Sequence, residues 1–99
     1  MKELEKDIES YLNKQIKSLG GLSMKFVSPG KSGVPDRIIL YNNHCYFVEL
    51  KKPNEKPRAL QIKIHEQFLE QGFTVKVIDT KDGVDDFVKE ITDQNPKTK

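Results

Sequence analysis

One cysteine, Cys45, is all the thiol chemistry in the sequence. That excludes an intramolecular disulfide and leaves nothing for a cysteine-rich zinc site, and a reduced, cytoplasmic setting is the simplest expectation. Long apolar runs are also lacking. None approaches the ~20 residues that a membrane-spanning helix needs, so no membrane partner is expected. The opening residues, Met-Lys-Glu-Leu-Glu-Lys-Asp, lack the apolar core of a secretion signal. There is no internal repeat, and the one low-complexity stretch is the polar end from Thr92 to Lys99. Charge of one sign is not in excess. Seventeen Lys and Arg against 15 Asp and Glu leave a net charge of +2, which permits an acidic partner without demanding one.

What is present is a soluble globular composition, 35% hydrophobic and 32% charged over 99 residues. That length allows one domain with a modest core, placed here at 1–92 with a flexible tail at 93–99. Leu4, Ile8, Tyr11, Leu12, Ile16 and Leu19 recur at steps of three and four, which predicts a helix ended by Gly20-Gly21. On its wheel Glu5 falls within the apolar arc and Glu9 on the margin. A short strand follows over Leu22 to Val27. Ser28-Pro29-Gly30-Lys31-Ser32-Gly33 then reads as a loop. Residues 58–71 predict a second helix capped by Gly72, with Ile62, Ile64, Phe68 and Leu69 as its buried face. Gln61 and His65 lie in the middle of that face, one turn apart, as either a satisfied pair at a helix–sheet contact or the wall of a polar site. Alternation over 73–78 predicts a strand, and Val84, Phe87, Val88 and Ile91 predict a last helix. The order is α-β-β-β-α-β-α, an α/β fold with a mixed sheet flanked by helices.

The chain is organised around Gly33 to Lys51. Residues 36–41 and 45–51 read as a hairpin turned at Asn42-Asn43-His44. Asp36 opens the first strand after Pro35. Glu49 and Lys51, two apart near the end of the second strand, project from one face. The hairpin brings the start of one strand beside the end of the other. Two carboxylates converging there suit a hard divalent cation such as Mg²⁺, which takes oxygen ligands. Without one they would repel, and one would hold a proton. A lysine beside such a cation completes a set suited to phosphodiester hydrolysis.

Pro35-Asp36 followed by Glu49-Leu50-Lys51 resembles the PD-(D/E)xK nuclease superfamily, whose core is restriction-endonuclease-like. The fuller string is similar to the VRR-NUC (virus-type replication-repair nuclease) family. It comprises Lys25-Phe26-Val27-Ser28-Pro29-Gly30, Gly33-Val34-Pro35-Asp36-Arg37, Tyr46-Phe47-Val48-Glu49-Leu50-Lys51 and Gln61, within a match running from about Glu5 to Ile78. The resemblance implies a Mg²⁺ (or Mn²⁺) ion on Asp36, Glu49 and the backbone carbonyl of Leu50. It implies Lys51 activating or positioning the attacking water, and Gln61 orienting Lys51 or a phosphate. It also implies a glutamate on the first helix that reaches the metal through water. Glu5 fits the family's Glu-x-x-Ile spacing. Glu9 lies nearer Asp36 when the helix is counted back at about 1.5 Å per residue. Both remain candidates, with Glu9 ahead.

Stand-alone members of the family resemble Holliday-junction resolving enzymes and act as homodimers. A four-way junction has two-fold symmetry, and two matched cuts need two sites related by it, so branched DNA and a second copy of the chain are the expected partners. No small-molecule cofactor is expected, and the resemblance implies a phage or prophage origin. Lys25, Lys31, Arg37, Lys52, Lys56, Arg58 and Lys63 are candidate phosphate contacts, which supply affinity and position rather than base reading. With no zinc finger and no aromatic-rich stacking platform, recognition by shape is expected. Two other readings are a nicking or flap endonuclease without junction selectivity, and a non-catalytic nucleic-acid-binding module. The second would be marked by a lost metal ligand or lysine, and none is lost here.

Overall fold

A computed structural model of the chain describes residues 4–94. Its elements are α1 (Glu5–Ser18), β1 (Leu22–Lys25), β2 (Arg37–Tyr41), β3 (His44–Leu50), α2 (Ala59–Glu70), β4 (Val75–Ile78) and α3 (Lys81–Gln94). This is the predicted α-β-β-β-α-β-α order. The strands form one mixed sheet, β1-β2-β3-β4, antiparallel at the first two pairings and parallel at the third. The hairpin turn holds only Asn42 and Asn43, at φ 49° and 69°. Asparagine tolerates this left-handed conformation, which two-residue hairpin loops require. His44 therefore opens β3 opposite Tyr41 instead of lying in the turn.

Strand alternation divides the sheet into two unlike faces. Ile39, Tyr41, Val48, Leu50 and Ile78 share one core with Ile8, Leu12 and Ile16 of α1 and Val84, Phe87 and Ile91 of α3. The three α1 residues are fully buried, and each burial contributes about 1.5–3 kcal/mol. Gly20, at φ 81°, turns the chain after α1. A Cβ on Gly21 would lie 2.9 Å from the Ile16 side chain and 3.0 Å from the Leu40 carbonyl, so β1 leaves the helix where no side chain fits. At α3 the Thr80 hydroxyl accepts a 2.9 Å hydrogen bond from the Gly83 amide, an N-terminal cap. The helix runs on through Gln94, taking in the first two residues of the expected tail; 95–99 lie outside the described residues.

The other face carries Phe47 and Glu49 and is covered by α2. Here the expected packing is corrected. Ile64 is buried, but Ile62 and Leu69 are 47% and 61% exposed. The stripe that meets the sheet is Gln61, Ile64, His65 and Phe68, at i, i+3, i+4 and i+7. Apolar residues alone mispredict this face because the strand beneath it presents Glu49 as well as Phe47. Phe68 stacks edge-on against Phe47 at 4.8 Å between ring centres, with Phe73 at 5.7 Å and Phe26 at 5.8 Å from Phe47. Four phenylalanines far apart in sequence thus anchor the rear of α2. Among the described residues no helix is long and apolar enough to cross a membrane.

Candidate active site

β2 and β3 pair with Arg37 opposite Val48, and one further step sets Asp36 opposite Glu49. Residues opposite each other project to the same face. Asp36 arrives there because Gly33, at φ +85°, passes tightly under α2; a Cβ on it would lie 3.0 Å from the Ile64 side chain. Pro35 is fully buried, and the Asp36 carbonyl accepts a 2.8 Å hydrogen bond from the Phe26 amide. The Asp36 carboxylate reaches over the strand end, where Oδ2 accepts from the Leu50 amide at 2.7 Å. The N–H and C=O of an extended residue point the same way, so the Leu50 carbonyl is on the Asp36 side too. The Lys51 amide points to β4, donating to the Ile78 carbonyl at 3.0 Å.

Glu49 is 1% exposed. Its Oε2 accepts from Gln61 Nε2 at 2.9 Å and lies 3.4 Å from Lys51 Nζ. Gln61 is oriented in turn: its Oε1 accepts from the Arg58 amide at 2.8 Å, which turns its NH₂ group toward Glu49. The other Glu49 oxygen, Oε1, faces His65 Nε2 at 3.7 Å. Burial, and then the charge of Asp36, push the Glu49 carboxyl up to about 7, with Lys51 opposing. Burial and Lys51 lower the His65 pKa, with Asp36 opposing.

The two glutamates of α1 part company. Burial raises the Glu5 carboxyl, followed by the charges of Asp36 and Glu55, with Lys51 opposing and Glu9 a smaller raising influence. Glu5 thus sits within the field of the Asp36–Lys51 group. Glu9 is instead held by Arg37, with Oε2 accepting from Nη1 at 3.2 Å. Length counting put Glu9 ahead, but it is level with Ser23 and Arg37, inside the β1–β2 pair. Glu5 lies one turn, about 5.4 Å, nearer the strand ends. Arg37 is likewise corrected. Expected on a phosphate track, it is only 9% exposed and also donates to the Ser23 hydroxyl from Nε and Nη2, at 3.3 and 3.1 Å. Lys25, Lys31, Lys52, Lys56, Arg58 and Lys63 are exposed. Lys52, Lys56 and Arg58 line the connection that leaves the site for α2.

Among the described residues, no group of three or more His, Cys, Asp or Glu side chains is arranged to hold a metal. The donor set fits a Mg²⁺-like ion nonetheless. Such an ion is usually held by one or two carboxylates and keeps its waters. Two carboxylates in conflict, one of them pushed to about 7, are what a cation would relieve. A separate groove of about 500 Å³, lined by Lys31, Phe47, Gln67, Phe68, Glu70, Gln71 and Phe73, shares no residue with this carboxylate group.

No family model matches the chain. A solved structure of a "VRR_NUC domain" superposes with a TM-score of 0.80 at 33% sequence identity, covering 86% of this chain and 94% of that one. The chain belongs to the VRR-NUC nuclease family. The family is related to the PD-(D/E)xK nucleases. A further relative, "Putative nuclease p44" of Acyrthosiphon pisum secondary endosymbiont phage 1, is 43% identical over 79 residues, 79% of this chain and 85% of that protein. Within this VRR-NUC fold, Asp36, Glu49, Lys51 and Gln61 come together at one sheet end with the Leu50 backbone beside them, and exposed Glu5 lies within their electrostatic field. Motif reading did not find two features. One is the specific partner of His65: its spacing from Gln61 placed it on the wall of a polar site, but not opposite Glu49 Oε1. The other is the inward turn of Arg37, signalled by its place two strand positions before buried Ile39.

Proposed function

We propose that this chain is a divalent-cation-dependent DNA endonuclease that cuts four-way junctions as a homodimer. The observation that carries the chemistry is Glu49. It is a carboxylate buried beside a second one, Asp36, and 3.4 Å from Lys51, in a chain of a nuclease family. Asp36, Glu49 and the Leu50 carbonyl would hold the cation, with Glu5 reaching it through water. The bound ion would lower the pKa of its water and screen charge on the phosphorus. Lys51 then orients the attacking water from Nζ and stabilises negative charge on the phosphoryl oxygens as the P–O bond breaks. Gln61 keeps Glu49 fixed, so the charges are placed before the DNA arrives. Lys25, Lys31, Lys52, Lys56 and Arg58 bind flanking phosphates. The junction reading is supported by symmetry: one site per chain needs a second copy for two matched cuts. The cytoplasm of a bacterial host, with a phage-encoded gene, is the corresponding setting.

A panel of labelled four-way junction, flap and linear duplex, each incubated with Mg²⁺, tests this. Junction cleavage that disappears in Glu49→Ala supports the reading. Equal cleavage of all three substrates removes the junction preference, and cleavage unchanged in Glu49→Ala removes the assignment of the site.

A further inference from the structure

Glu49 Oε1 and His65 Nε2 are both buried, and neither has a hydrogen-bond partner. They face each other at 3.7 Å, with the two side chains 2% and 14% exposed. A buried acceptor left without a donor is destabilising, because it has given up its water partners for nothing. Only about half an ångström separates this pair from hydrogen-bond distance, which a small turn of the imidazole closes. A neutral imidazole carries one N–H. On Nδ1, that proton would leave two acceptors opposed inside the protein. On Nε2, it satisfies both atoms at once.

We propose that His65 is a positioning residue for Glu49, its Nε2–H donating to Oε1, so that α2 grips both oxygens of this carboxylate. Gln61 already holds Oε2 at 2.9 Å. His65 stands one helical turn further along, and such i,i+4 side chains lie side by side. With one donor on each oxygen, the carboxylate plane cannot swing, and its remaining lone pairs stay turned toward Asp36. The tautomer and the contact follow from this geometry alone. Their effect on catalysis rests on reading Asp36 and Glu49 as the cation-binding pair, where donors behind a ligand typically account for 10–100-fold in metal affinity or activity.

The chain contains two histidines, and the second is an internal standard. His44 Nδ1 lies 2.9 Å from the Asn42 carbonyl, so it must carry the proton there. Long-range ¹H–¹⁵N spectra of imidazole-labelled protein at about pH 8, where histidine is neutral, should show one histidine of each tautomer. The Nε2–H set should vanish in His65→Gln. A proton on Nδ1 of His65 overturns the proposal. In Mg²⁺-dependent cleavage, His65→Leu should lower kcat about 10–100-fold at unchanged KM for DNA, and raise the Mg²⁺ concentration needed for half-maximal rate. His65→Gln, which keeps an N–H donor, should recover most of that loss. Parent-like kcat and Mg²⁺ dependence in His65→Leu overturns the positioning role. If the leucine variant does not fold, the tautomer and the glutamine variant decide. If even the parent protein cuts no DNA, the nuclease reading fails, and the tautomer alone decides the contact.

Discussion

Arg37 and Glu9 meet at 3.2 Å between β2 and α1, on the face of the sheet opposite Glu49. The guanidinium is almost wholly covered, and it also holds Ser23, whose hydroxyl donates to Asn13 Oδ1 at 2.7 Å. This polar link fastens α1 and β1 to the strand that delivers Asp36.

Arg37→Met should therefore act on stability. The variant leaves Glu9 without its cation and Ser23 without two donors, at a cost of ~1–3 kcal/mol. A thermal melt should show the drop, while DNA affinity of the folded protein, and its dependence on salt, stay near the parent's. Lys52→Ala and Arg58→Ala should behave in the opposite way, with parent-like melts, weaker binding to every DNA sequence and a salt slope flatter by about one each. A flattened slope in Arg37→Met would return that residue to the phosphate track.

Glu5→Gln and Glu9→Gln separate the two candidates on α1. Glu5 lies in the field of Asp36 and Lys51, so its amide variant should slow cleavage by about tenfold or more, in the range seen for groups that support metal ligands. Glu9→Gln should leave the rate close to the parent's and shift only the melting temperature. Single-turnover rates at saturating Mg²⁺ measure the first effect.

Metal-free stability should fall as pH rises through the window between about 4.5 and 7. The folded state holds a proton on Glu49 up to about 7, whereas the unfolded chain releases it near the ordinary carboxylate value. Between the two pKa values the folded state binds more protons, so raising the pH favours unfolding. Glu5, also raised, adds to the trend. His65, lowered by burial, opposes it below its ordinary value. Melts of the parent and Glu49→Gln across this range should diverge, with the variant losing most of the slope. Added Mg²⁺ should stabilise the parent chiefly at the alkaline end, and EDTA should remove that gain.

Gly33→Ala tests the approach to the site. Its φ of +85° disfavours any side chain, and a Cβ would press on Ile64 and Leu60. Strain of this kind costs about 1–3 kcal/mol, and Asp36, three residues on, should shift with the loop. Reduced cleavage together with a lowered melting temperature is expected. A parent-like variant would show that the loop has room the structure does not indicate.

The element order was legible in the sequence because periodicity reports local geometry. The three- and four-residue steps of Leu4 to Leu19 and the apolar runs on either side of Asn42-Asn43 needed no tertiary information. Asp36, Glu49, Lys51 and Gln61 were legible for a related reason: a hairpin and one crossover bring them together whatever the detailed packing. Residues whose role depends on rotation about a helix or on length matching were not. Glu5 and Glu9 differ by one turn, and only the level at which α1 packs on β1 and β2 gives Glu9 to Arg37. Ile62 and Leu69 look like core by composition, but the rotation of α2 is set by Glu49 and Phe47 beneath it. That rotation sends both leucine and isoleucine outward, while Gln61 and His65 face in, as their place in the middle of the expected face implied. The tertiary structure decided these points because the partners of a charged or amphipathic side chain are other elements, whose distance in sequence carries no record of their distance in space.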